Sequence, residues 1–272
     1  MNFRERGVGG ATKDPTFFEG SVDGMTPLTD KTVASRIAGR DLLFAAHGFN
    51  VSRSEGVCSL SRLEFALALP SSAVFIGVLW PGDFWIPVVN YPFEGATSMD
   101  CGRRLASYCD RNFGKASSLS FVTHSLGARL ALEAAKTLRR QVRSMCLTAA
   151  AINNDCLTAE YASAFANSSI VSVLASEKDR VLRLAFPVGD PIANLLHFDH
   201  KPFRSAMGYR GPEQAVGNTV PPWQISDRDN YDHGDYLPSS DRTQAFPVPA
   251  GKWKNTAGYM KRTFLGSPQF WP

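Results

Sequence analysis

Short, continuous apolar runs recur along the chain at 41–46, 73–79, 119–122 and 170–174. A run without polar alternation is what a strand buried on both faces of a parallel sheet requires. Between the runs the apolar period lengthens. Val57, Leu60, Leu63, Phe65 and Ala66 recur at helical spacing in 55–69, which stops at Pro70. Segments 96–113, 125–141 and 159–166 predict further helices, 145–152 a further strand, and 251–264 a closing helix. Strands alternating with helices through short links predict an α/β architecture, a mostly parallel sheet with helices on both faces.

The pattern weakens in two places. Residues 1–36 begin rich in Gly, Thr, Asp and Pro, which predicts a loosely ordered N-terminal arm. It leaves room for a short strand near 17–22 and a brief helical or extended piece at 31–37. Residues 184–222 are rich in Pro and Gly with scattered aromatics (Phe186, Phe198, Phe203, Tyr209). So long a stretch without clear elements predicts a cap-like excursion over the C-terminal edge of the sheet. A short last strand is expected at 223–226. No internal repeat divides the chain, and 1–272 reads as a single domain.

Composition narrows the classes of function. At 44% hydrophobic and 20% charged the chain can bury a large core. Its net charge of +4 is mild. The basic cluster Arg139, Arg140 and Arg143 falls at a helix end, where it suits the dipole, and no nucleic-acid recognition motif accompanies it. The 5 cysteines (Cys58, Cys101, Cys109, Cys146, Cys156) are odd in number, without a Cys-x-x-Cys pair or zinc spacing, which favours a reducing compartment. The first residues lack the apolar core of a signal peptide. No run approaches the ~20 apolar residues of a membrane span. A cytoplasmic location without a transmembrane segment is the expectation. The oligomeric state is not legible.

The chemistry centres on Phe121-Val122-Thr123-His124-Ser125-Leu126-Gly127, where a β-prone run enters a tight turn and an Ala/Leu-rich helical run leaves it. Strand, sharp turn with serine, helix is the arrangement that lifts a hydroxyl clear of a sheet. Serine is a weak nucleophile without a nearby base and N–H groups aimed at the developing oxyanion. Gly127 fits because the helix must pack close to the strand. Serine at a helix start also serves as an N-cap, a role compatible with the first.

A base and an orienting acid must come from elsewhere. His124 should point away from the Ser125 hydroxyl, and His47 lies in the loop His47-Gly48-Phe49-Asn50. His233, after the last expected strand, is the preferred base. His197 and His200 in the excursion are the runners-up. Asp179 and Glu177 follow the 170–174 strand at its C-terminal end, where catalytic groups of open α/β sheets collect, and Asp179 is preferred. Leu126 and Phe49 are the expected oxyanion N–H donors, with Asn50 second to Phe49. Trp80, Phe84, Trp85 and Tyr91 would line an apolar substrate pocket. Asp227, Asp229, Asp232 and Asp235 surround His233 without the spacing of a calcium loop, so no metal and no cofactor is expected.

Together, His47-Gly48-Phe49-Asn50, Thr123-His124-Ser125-Leu126-Gly127, Lys178-Asp179-Arg180-Val181 and Asp232-His233-Gly234-Asp235-Tyr236 resemble an α/β-hydrolase. Within that superfamily they are similar to a serine-hydrolase-like subgroup with a His-Gly-Phe/Tyr-Asn loop and a Val-x-His-Ser-x-Gly elbow. The resemblance covers about 38–264 and keeps the superfamily order Ser…Asp…His. It implies Ser125 as nucleophile, Asp179 as acid and His233 as base. The chain departs from the full pattern at Thr123, where the first elbow glycine would stand, and in a reduced N-terminal part of the sheet. The implied activity is hydrolysis of carboxylic esters with an apolar acyl part. The same triad would serve a lipid-directed acyl hydrolase or acyltransferase. A scaffold that only binds is the third reading, against which the joint presence of Ser125, Asp179 and His233 argues.

Overall fold

The computed structural model describes residues 1–4, 14–21, 24–82, 87–184, 205–213, 219–220, 225–247 and 250–267, with backbone only at 87–95 and 219–220. A hairpin of β1 (Phe17–Ser21) and β2 (Gly24–Leu28) precedes α1 (Asp30–Ile37). Then β3 (Asp41–Ala46), α2 (Arg53–Leu67), β4 (Ala73–Val78), α3 (Pro87–Asn112), β5 (Ser118–His124) and α4 (Gly127–Thr137) alternate. β6 (Val142–Thr148), the short α5 (Ala162–Ala166), β7 (Ser168–Leu174) and α6 (Arg180–Leu184) continue the pattern. After α7 (Met207–Arg210) and β8 (Thr219–Val220), α8 (Trp253–Phe264) closes the described chain. The central sheet runs β4-β3-β5-β6-β7-β8, with every pairing parallel.

Burial on both faces explains the unbroken apolar runs. In β3, Leu42, Phe44 and Ala46 join Leu105 of α3 and Leu130 of α4 on one side of the sheet. Leu43 and Ala45 pack on the other side with Leu60 and Leu63 of α2 and Met260 and Phe264 of α8. The start of α2 follows from local chemistry. Ser52 and Glu55 form a capping box, with Ser52 N–H donating to Glu55 Oε2 at 2.8 Å and Glu55 N–H to Ser52 Oγ at 3.3 Å. The helix ends at Ala68 in the left-handed region (φ 41°), two residues before Pro70.

The N-terminal arm is a correction. Its described residues are not loose, because tertiary contacts order them where local pattern could not. Phe17 is buried with its ring 5.4 Å from that of Tyr108 and 6.1 Å from that of Phe113. Residues 1–4 run beside the end of β4, Leu79 N–H donating to Met1 O and Phe3 N–H to Leu79 O. The short expected strand and helix of this region are β1 and α1. The last described strand is β8; of the strand expected at 223–226, residues 223 and 224 lie outside the described residues, and Ile225 and Ser226 are outside any strand.

Of the excursion expected at 184–222, residues 185–204, 214–218 and 221–222 lie outside the described residues. The described piece turns inward. Met207 N–H donates to Ile152 O at 2.7 Å, Gly208 N–H to Ala150 O at 2.9 Å, and Ser176 N–H to Gly208 O at 3.0 Å. α7 therefore plugs the gap between the chain leaving β6 and the chain leaving β7. Among the described residues no helix is long and apolar enough to cross a membrane.

Candidate active site

β5, β6 and β7 are in register at their carboxyl ends, with His124 opposite Thr148 and Thr148 opposite Leu174. Side chains on the turns that follow β5 and β7 are thereby brought to one edge. Ser125 leaves β5 with φ 55°, a left-handed conformation that costs a non-glycine residue on the order of 1–2 kcal/mol. The neighbours hold it there. Ser125 N–H donates to Thr148 O at 3.0 Å, and its carbonyl accepts from Ala128 and Ala151 at 3.1 and 3.2 Å. Thr123 does not prevent the sharp turn. It is buried near the end of β5.

Gly127 and Gly48 explain the close approach of β5, α4 and the turn after β3. A Cβ on Gly127 would sit 2.6 Å from His47 O and 2.8 Å from Ala46 O. A Cβ on Gly48 would sit 2.9 Å from Ser125 Cβ and 3.0 Å from His124 Nδ1. The turn after β3 thus lies directly against Ser125.

Three sequence candidates meet in a hydrogen-bonded chain. Ser125 Oγ is 3.0 Å from His233 Nε2, and His233 Nδ1 is 2.8 Å from Asp179 Oδ2. Asp179 is fully buried, and its other oxygen accepts from Leu182 N–H at 2.9 Å. Glu177, the other acid considered, is exposed. Neither the Phe49 nor the Leu126 N–H donates to a backbone acceptor among the described residues. Asn50, the second choice, spends its N–H on Gly82 O at 2.6 Å.

Two further histidines flank the chain, both held neutral. His124 donates from Nε2 to His233 O at 2.7 Å. Burial, then the neighbouring His233, push it down to about 3. His47 accepts from Trp80 N–H on Nε2 (3.4 Å) and donates from Nδ1 to Gly48 O (2.8 Å). Burial, then Arg4, push it down to about 3 as well. Neutral burial has a consequence for stability. Between pH 6.5 and about 3 the unfolded chain binds protons that the folded chain refuses, so this contribution is present above pH 6.5 and lost as pH falls. Each histidine should add a slope of up to about 1.4 kcal/mol per pH unit in that window. Urea midpoints at pH 7, 5.5 and 4.5 check this, with a shallower slope expected for His47→Gln.

Trp80 is a second correction. It is fully buried, stacked on His47 with ring centroids 5.6 Å apart, and its Nε1 donates to His47 O at 2.9 Å. It props the turn carrying Gly48 and Phe49 and is not among the described residues that wall the cavity next to that turn. Phe84, Trp85, His197 and His200 lie outside the described residues, and of Tyr91 only the backbone, in α3, is described. A cavity of 720 Å³ lies instead beside the triad, walled by Gly48, Val51, His124, Gly234, Leu237 and Trp253. Three of the four aspartates around His233 face cations of their own. Asp227 pairs with Lys178, Asp232 with Arg180, and Asp235 with Lys252. Among the described residues no cluster of three or more His, Cys, Asp or Glu could hold a metal ion.

The family model described as "Alpha/beta hydrolase of unknown function (DUF900)" matches residues 29–241. The chain belongs to this family. No curated protein matches the α/β-hydrolase chain. It is similar to carboxyl esterase 2 of the mycorrhizal fungus Tuber melanosporum, at 14% identity over 97% of this chain and 90% of that one, with a TM-score of 0.44. An esterase of Pyrobaculum calidifontis gives 14% identity over 92% and 84% of the two chains and a TM-score of 0.45. Likeness at this distance carries no argument about chemistry, which for this α/β-hydrolase rests on its own residues. Sequence reasoning missed the hydrogen bond of His124 to His233 O and the bonds of Asp232 to Arg180 and His233. The only signal for either was adjacency to Ser125 and His233.

Proposed function

We propose that the protein is a serine hydrolase of carboxylic esters. The observation that carries the reading is the continuous chain Ser125 Oγ–His233–Asp179, at 3.0 and 2.8 Å, on a serine held at φ 55°. In this reading His233 Nε2 takes the Ser125 proton as Oγ attacks the acyl carbonyl. Asp179 keeps the imidazole proton on Nδ1 and stabilises the imidazolium. The Leu126 and Phe49 N–H groups receive the oxyanion, Leu126 with the added field of the α4 N-terminus. The tetrahedral adduct collapses, the alcohol leaves with the proton from His233, and water then releases the acid by the same steps. The cavity beside the triad, of a size that suits small ligands, would take the apolar part of the ester against Val51, Leu237 and Trp253. Five free, buried thiols support a reducing, cytoplasmic setting.

A fluorophosphonate probe tests the reading directly. Wild-type protein is expected to label stoichiometrically at Ser125, and Ser125→Ala not at all. Equal labelling of the two would remove Ser125 from the role of nucleophile.

A further inference from the structure

The turns that carry Asp179 and His233 come from distant parts of the chain, and something must set their spacing to the accuracy a proton relay needs. Ion pairs between the turns are one possibility. Lys178 meets Asp227 at 2.9 Å and Arg180 meets Asp232, but Arg180 is 80% exposed. Exposed pairs contribute little and pay side-chain entropy to form. A better-placed link is the Asp232 carboxylate itself. Its Oδ1 accepts from Arg180 N–H at 3.0 Å and from His233 N–H at 2.9 Å. One oxygen therefore ties the main chain immediately after Asp179 to the main chain of His233. The same oxygen cannot satisfy both donors unless the two turns stand at one separation.

The carboxylate is itself held. Oδ2 accepts from Arg180 Nε at 2.7 Å, and Asp232 N–H donates to Asp235 Oδ2 at 2.8 Å, which Lys252 Nζ meets at 2.9 Å. A second tie lies one step away, Ser176 Oγ donating to Tyr231 O at 2.7 Å. Hydrogen bonds to Arg180 and His233 hold the Asp232 carboxyl below its ordinary range despite partial burial. It is therefore charged at neutral pH, and charge-assisted bonds are the short, strong ones.

We propose that Asp232 is the positioning residue of the relay, the group whose Oδ1 sets the distance between Asp179 and His233 through their backbones. It touches neither the hydroxyl nor the imidazole ring and acts only through where it holds them. The inference rests on the serine-hydrolase reading, so its test separates the two. The readouts are the rate of fluorophosphonate labelling and its end point, with turnover of p-nitrophenyl butyrate where that ester is cleaved. Failure of wild type to label would remove the reading itself.

Given wild-type labelling, Asp232→Ala is expected to label to the same end point, roughly 10–100-fold more slowly, as for a displacement of about 1 Å. Turnover should fall through kcat with KM within about threefold. Asp232→Asn retains an oxygen that can accept both N–H bonds, and should recover most of the rate. Arg180→Gln, which removes the guanidinium and leaves both main-chain bonds, should lower the rate by less than Asp232→Ala does. A merely structural role would instead lower the end point, the count of active molecules, and leave the rate per labelled site at the wild-type value. That result would overturn the proposal, as would an Arg180→Gln loss equal to that of Asp232→Ala.

Discussion

Asp179→Asn is expected to lower turnover and labelling rate by about 10⁴-fold while leaving the protein folded. The size of the effect follows from a tautomer rather than from lost charge alone. Asp179 Oδ1 accepts from Leu182 N–H and Oδ2 accepts from His233 Nδ1. Asparagine has only one acceptor oxygen. The Leu182 N–H can be satisfied only by that oxygen, so the amide NH2 is turned toward His233. An NH2 facing Nδ1 stabilises the tautomer in which Nδ1 is bare and Nε2 carries the proton. That proton then points at Ser125 Oγ, and the base is gone although every side chain is in place. Asp179 is fully buried, and neutral asparagine is easier to bury than a carboxylate, so stability should hold. A comparison of labelling rate and urea midpoint between wild type and variant checks both halves. A loss of tenfold or less would mean that Asp179 does not set the tautomer.

The same residues show what could be read before the fold was known. Ser125 and Asp179 stand in the turns that follow two central strands, and the order of a parallel sheet carries such turns to one edge; His233 has no such element beside it, since the described strand before it is the two-residue β8. β3 was legible to the residue, since a strand buried on both faces has no polar alternation to blur its ends. Trp80 was not. An aromatic residue after a strand has the same pattern whether it walls a pocket or fills a core, and the deciding contact is with His47, far away in sequence. The N-terminal hairpin was equally hidden, because Phe17 is ordered by Tyr108 and Phe113 rather than by its neighbours. Asp232 was visible as one of four aspartates near a histidine. Its two main-chain bonds depend on the fold bringing 180 and 233 together, which no local pattern encodes.

Gly127→Ala joins the elbow to the stability of the whole sheet. The added methyl would meet only backbone, at 2.6 Å from His47 O, 2.8 Å from Ala46 O and 3.1 Å from Ala46 C. Backbone at the end of a central strand cannot swing aside as a side-chain tip can. Either α4 lifts off the sheet or the end of β3 moves, and both change packing that is buried on two faces. We expect a loss of about 3 kcal/mol, read as a lower urea midpoint at unchanged m. Gly114→Ala is the control, since a Cβ there meets nothing within 4 Å, and it should stay within about 0.5 kcal/mol of wild type. Function should suffer beyond the lost stability, because His47 O also accepts from Trp80 Nε1. A shift of that carbonyl disturbs the turn bearing the Phe49 N–H. Labelling measured well below the denaturation midpoint separates the two effects: folded Gly127→Ala should react more slowly than wild type, and Gly114→Ala at the same rate. An unchanged midpoint for Gly127→Ala would mean that the close approach of helix and strand is not what this glycine provides.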